Sequence, residues 1–139
     1  MSTILGTEDA TGGEAMRGLG ELEAAIMDAL WRSEEPMSVR QVRENMVYDR
    51  DVAYTTVMTV ANILFTKGLL DREKTGRAWT YWPRESHAEY TARMMDEVLN
   101  TGPDPGATLL RFVERFSDEE VARLHRVLAQ TRDRRGVAS

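Results

Sequence analysis

Thr55, Thr59, Asn62 and Thr66 recur at the spacing of one face of a helix that turns about 100° per residue. Val57, Val60, Ala61 and Leu64 fall on the opposite side. The first set offers hydroxyls and an amide, with no charge before Lys67. Solvated helix faces in a chain with 29% charged residues ordinarily carry Glu, Lys and Arg. Threonine is a poor helix former, so propensity does not explain Thr55, Thr56, Thr59 and Thr66 in one short segment. The chemistry open to such a stripe is hydrogen bonding rather than bond making. Hydroxyls and an amide in a row suit base edges in a groove, with threonine methyls available to a thymine methyl. The same stripe would also arise if the threonines only faced solvent or bonded back to the preceding turn.

Composition narrows what the stripe can serve. A chain of 139 residues, 42% hydrophobic, holds one domain or two small ones, and a core that small gains from oligomerisation. The absence of cysteine removes disulfides and thiolate metal sites and fits a reducing compartment. His87 and His125 have no plausible metal partners in the sequence and read as surface residues, so no metal and no cofactor is expected. No apolar run approaches membrane length and no signal peptide precedes Arg17, which predicts a cytoplasmic protein without membrane insertion. No nucleophile–base pair is visible, and Gly12-Gly13 sits in an aperiodic lead-in rather than a phosphate loop, so no catalytic residue is assigned and an enzyme is not expected. Net charge is −5, but its distribution is uneven. Residues 1–36 carry two Arg against eight acids, residues 37–84 eight Lys/Arg against five, and residues 85–139 eight Arg against ten. The basic excess lies in the segment that holds the threonine stripe, where phosphates would need it.

The elements that must position the stripe follow from periodicity. Residues 1–17 read as a disordered extension. Leu22, Ala25, Ile26, Ala29 and Leu30 give a helix from Leu19 to about Trp31, and Ser33 to Pro36 breaks it. Ser38 and Gln41 form a capping box, continued helically by Val39, Val42 and Met46. Asp51 is a fair N-cap for the threonine helix over 53–67, and Gly68 is its C-terminal glycine. Leu69 to Lys74 and Ala78 to Trp82 alternate as two strands around Thr75-Gly76-Arg77, and Trp31 with at least one of Trp79 and Trp82 is expected to seal the core. Helix, helix, helix and a basic-tipped hairpin make a winged helix-turn-helix over 18–84, with the third helix in the major groove. Tyr54, Thr55, Thr56, Thr59 and Asn62 are then expected at bases. Ser38, Arg40, Lys67, Arg72, Lys74 and Arg77 are expected at phosphates.

Beyond Pro83 the pattern is helical and very apolar. Tyr90, Met94 and Val98 mark one helix; Leu109, Leu110, Val113 and Phe116 a second; Val121, Leu124 and Leu128 a third, opened by a Ser117–Glu120 capping box. Three short helices over 85–131 cannot enclose that much apolar surface alone, which predicts a helical dimerisation domain with those residues at the subunit interface; the alternative is that they fold back on the N-terminal domain. Residues 132–139 read as a flexible tail. The fold class expected is mainly α, a winged helix-turn-helix domain followed by a small three-helix dimerisation domain.

These residues resemble a known family. Leu19, Glu23, Ile26, Met27, Leu30 and Trp31 are similar to the opening of the BlaI/MecI penicillinase-repressor family. Ala53 to Val60 resembles its recognition helix, and Lys67-Gly68-Leu69-Leu70 with Gly76-Arg77-Ala78-Trp79-Thr80-Tyr81-Trp82-Pro83 resembles its wing. Phe112-Val113-Glu114 and the capped last helix resemble its dimerisation domain. The resemblance implies a dimeric repressor of inverted repeats built on TACA/TGTA half-sites, with Thr56 and Thr59 at the DNA. It also implies a regulatory membrane protease as a further partner, acting at the position held here by Arg111 and Phe112. Two departures stand out. Ile63 and Thr66 replace the Arg and Lys common in family recognition helices, and Arg111-Phe112 replaces the Asn-Phe bond that the protease cuts.

The function expected is therefore a homodimeric repressor acting on a double-stranded DNA operator. The alternative is a protein–protein adaptor that uses the aromatic wing residues Trp79, Tyr81 and Trp82 and binds no specific DNA.

Overall fold

Helix α1, Glu21–Arg32, starts the chain described by the structure, a computed structural model that covers residues 19–136. The expected extension over 1–17 and residues 137–139 lie outside the described residues. Strand β1, Met37–Ser38, leads directly into α2, Val39–Asn45, and then α3, Tyr54–Thr66. Strands β2, Leu70–Thr75, and β3, Ala78–Pro83, form a hairpin, followed by α4, His87–Leu99, α5, Pro105–Glu114, and α6, Asp118–Arg135.

The described chain divides into two compact units, and the division falls within α4, after Met94, rather than at the expected 84/85 boundary. In the first unit, Ile26, Met27 and Leu30 of α1, Val42 of α2 and Val57, Ala61 and Leu64 of α3 meet Leu70 and Tyr81 of the hairpin in one core. Each helix contributes a stripe at 3–4-residue spacing, so burial alone dictates which face turns inward. The strands form an antiparallel sheet in the order β1-β3-β2. Met37 pairs with Tyr81 and Ser38 with Thr80. Two residues carry too little periodicity to announce a strand, and β1 was not foreseen from the sequence.

Local chemistry sets the element ends. Ser38 Oγ accepts from the Gln41 amide at 3.2 Å while Gln41 Oε1 accepts from the Ser38 amide at 2.9 Å, the box expected from the sequence. The same reciprocal pair joins Ser117 to Glu120 and, unanticipated, Ser86 to Glu89 at the start of α4. At the end of α3, the Gly68 amide donates to Phe65 O and the Leu69 amide to Leu64 O, which is the Schellman pattern. It requires the left-handed φ of +85° at Gly68, where an added Cβ would lie 3.3 Å from an Arg84 guanidinium nitrogen.

Three further expectations change. Asp51 does not cap α3; the cap is Ala53, with no side-chain bond, because Val52 packs on the core and its carbonyl accepts from Arg43 Nε at 2.7 Å, keeping the chain extended two residues longer. Neither Trp79 nor Trp82 seals the core; Tyr81 does, at 2% exposure. Trp79 shares the Tyr81 face of β3 but lies toward the hairpin tip, beyond the edge of the core, and Trp82 is on the other face. The Arg-rich segment over 132–135 is helical rather than a loose tail. Arg132, Arg134 and Arg135 sit in the last turn of α6, where the carbonyl end of the helix favours cations, and Gly136 ends it at φ +71°.

Candidate nucleic-acid interface

Val57, Ala61 and Leu64 bury one side of α3 and thereby turn Thr55, Thr56, Thr59, Asn62 and Thr66 outward, all exposed. Three threonine hydroxyls elsewhere bond back to their own helix or turn, Thr101 to Val98 O at 2.8 Å, Thr108 to Asp104 O at 3.4 Å and Thr131 to Val127 O at 2.9 Å, whereas Thr91 on α4 does not. No hydrogen bond within the described residues engages the side chains of Thr55, Thr56, Thr59 or Thr66. The row of hydroxyls is therefore both exposed and uncommitted. Tyr54, Met58 and Ile63 are exposed beside it. Met58 and Ile63 were not named as site residues from the sequence, yet Met58 lies three residues after Thr55 and Ile63 four after Thr59, on the same stripe. They add apolar contact surface of the kind a thymine methyl meets.

The wing segregates its charge. Cross-strand pairing puts Arg72 opposite Tyr81 and Lys74 opposite Trp79, so these four side chains share one face of the hairpin, while Asp71 and Glu73 occupy the other with Trp82 and Thr80. Arg77 occupies the second position of the two-residue tip. Gly76 before it has φ +67° while Arg77 does not go positive, the sign pattern of a type II′ turn. No ion pair or hydrogen bond within the described residues engages Arg77 or Arg40. Lys74 reaches over the Trp79 ring at 5.8 Å.

Two of the cations expected at phosphates are directed elsewhere. Lys67 Nζ pairs with both Glu23 carboxylate oxygens, at 3.0 and 3.2 Å, tying the end of α3 to α1. Arg72 lies between two rings, its guanidinium carbon 4.0 Å from the Phe65 centroid and 4.2 Å from that of Trp79, and donates to Asn62 Oδ1 at 2.9 Å. This cation joins the basic face of the wing to the exposed face of α3. Ser38 stands at the start of α2 with its hydroxyl accepting in the capping box, and Arg40 is exposed two residues on.

Tyr90 and Met94, expected at a subunit interface, pack instead on the first unit. Tyr90 is 3% exposed, with its ring 5.2 Å from Trp31, whose indole N–H donates to Glu85 O at 3.1 Å; Met94 packs against the same core. In the second unit none of the described residues is buried. Val98, Leu109, Leu110 and Leu128 are exposed, Val113, Phe116, Val121 and Leu124 half-buried, and Phe112 meets Phe116 edge to face at 4.9 Å. Arg111 pairs with Glu114 at 3.2 Å. No helix among the described residues is long and apolar enough to cross a membrane.

A three-stranded antiparallel sheet edged by a hairpin wing, packed on three helices of which the third shows an uncommitted polar face, defines a winged helix-turn-helix protein. Residues 19–130 match the penicillinase repressor family, and the chain belongs to that family. It is 44% identical over 115 residues to proteins described as transcriptional regulator BlaI from two strains of Mycobacterium tuberculosis, CDC 1551 / Oshkosh and ATCC 25618 / H37Rv. Each alignment covers 81% of this chain and 83% of the relative.

Proposed function

We propose that this chain is a homodimeric repressor of transcription that lays α3 in the major groove of an inverted-repeat operator in the cytoplasm. The observation that carries the reading is the uncommitted hydroxyl row of Thr55, Thr56, Thr59 and Thr66. A helix that merely faced solvent would gain from charge there, and one that needed its threonines would bond them back. Thr56 and Thr59 read bases, with Tyr54, Thr55 and Asn62 beside them. Arg77 and Lys74 on the wing, with Arg40 and the start of α2 at Ser38, contact phosphates. The adaptor reading keeps a smaller aromatic surface, because Tyr81 is buried and Arg72 lies over the ring of the exposed Trp79.

The apolar faces of the second unit support dimerisation through the end of α4, α5, α6 and the turn between the last two, with Val98, Leu109, Leu110, Val113, Phe116, Val121, Leu124 and Leu128 in the interface. A repeated half-site then gains from both copies at once. Proteolytic control by a membrane protease would require α5 to open around Arg111 and Phe112, since a bond inside a helix does not fit an extended-substrate cleft. The test of DNA binding is duplex affinity measured against salt. For an operator binder, the logarithm of affinity falls with the logarithm of salt at a slope of roughly 0.9 per neutralised phosphate, whereas an adaptor has no duplex affinity to lose.

A further inference from the structure

We infer that Arg72 is a positioning residue for specificity: it holds the Asn62 amide in one of its two orientations and thereby decides which bases Asn62 accepts. The inference rests on the proposed reading of α3 as the recognition helix.

An asparagine amide carries an acceptor at one end and two donors at the other. Free to rotate, it can turn either end to a base and so discriminates poorly. Arginine has five N–H donors and no acceptor, so the Asn62 atom facing the Arg72 guanidinium at 2.9 Å has to be Oδ1. Arg72 is itself immobilised by stacking between Phe65 of α3 and Trp79 of the wing. The clamp therefore fixes the oxygen end toward the wing and leaves Nδ2 as the group turned away from it, on the exposed face of α3. A donor end recognises acceptors: O6 and N7 of guanine, N7 of adenine, O4 of thymine. Cytosine shows the major groove only its N4 donor, and meets Nδ2 donor to donor. Asn62 so held rejects cytosine at the base it faces. The cost of the arrangement is one phosphate hand, since Arg72 no longer extends freely from the wing.

The experiment is selection of a randomised half-site duplex library by the full chain, comparing base frequencies in bound and unbound pools. Asn62→Ala identifies the position concerned, as the one where preference disappears. There the unaltered chain should disfavour cytosine on the order of tenfold. Arg72→Met keeps an unbranched stem between the two rings but removes the donor, and should bring cytosine most of the way back to parity. In an Asn62→Ala background the same change should leave base frequencies untouched. Asn62→Asp, an acceptor-only group that Arg72 can still hold, should invert the preference toward cytosine, and it provides an independent reading if Arg72→Met fails to fold. Uniform weakening of Arg72→Met on every sequence, with unchanged base frequencies, would make Arg72 a phosphate contact or a strut and overturn the inference while sparing the repressor reading. An Asn62→Asp chain with unaltered preference overturns it equally. If the unaltered chain selects no sequence at all, the repressor reading falls first and the inference with it.

Discussion

Leu110→Asp should separate folding from assembly. Leu110 stands on α5 at 59% exposure, so replacing it removes little that the single chain buries. Full burial of a leucine is worth about 1.5–3 kcal/mol, and rather more than half of that remains to be gained here on assembly, roughly 1–2 kcal/mol per copy. A two-fold interface presents the residue twice, giving about 2–4 kcal/mol, or a dimer dissociation constant roughly 30- to 1,000-fold weaker. An unpaired carboxylate pressed into the apolar contact pushes the change toward the upper end. Sedimentation velocity over a concentration series reads the dissociation constant, and the thermal transition of the first unit serves as the folding control. Operator affinity should fall with the dimer, because one half-site is left to hold alone. A Leu110→Asp chain that dimerises as tightly as the unaltered one would refute the reasoning and place the interface on another surface.

Tyr90→Ala should act on the first unit instead. Removing a ring held at 3% exposure costs about 3–5 kcal/mol of stability by analogy with other buried aromatics, read as a lower denaturant midpoint; an unchanged midpoint would return Tyr90 to the interface. Arg77→Ala should lower the salt slope of dimer binding by about 2, one phosphate from each wing, and weaken all sequences alike. A shift in base preference after that change would count against a phosphate role. In cells treated with a β-lactam, an immunoblot should show no fragment ending at Arg111, because Arg111-Phe112 stands where the family protease cuts Asn-Phe; such a fragment would show that the substitution is tolerated.

Much of the fold was legible because its signals are local. Ser38 with Gln41 and Ser117 with Glu120 announce helix starts, Gly68 a helix end, and Gly76-Arg77 a hairpin, each through chemistry confined to a few residues. Ser86 with Glu89 carries the same signal at the start of α4. What periodicity does not reveal is the partner of a buried face. The stripe of Tyr90 and Met94 marks an inward side of α4, yet nothing in the spacing says that Trp31 and the first unit's core receive it. Charge is ambiguous in the same way. Arg72 and Lys67 read from sequence as hands for phosphate, and only the fold reveals the rings around one and the Glu23 carboxylate against the other. The threonine stripe is visible as a pattern, and the fold removes one of its plain explanations, bonding back to the preceding turn, because its hydroxyls are unbonded while those of Thr101, Thr108 and Thr131 bond back.

The central claim is that the exposed hydroxyls of α3 read sequence, and Thr59→Ala tests it most directly. The quantity to measure is the ratio of affinities for the selected operator and for random duplex at one salt concentration. Each lost hydroxyl contact is worth on the order of 1–2 kcal/mol per half-site, so the ratio should fall roughly 30- to 1,000-fold in the dimer while random binding stays nearly constant. A ratio unchanged by Thr59→Ala would contradict the account, because Thr59 would then face solvent and nothing more.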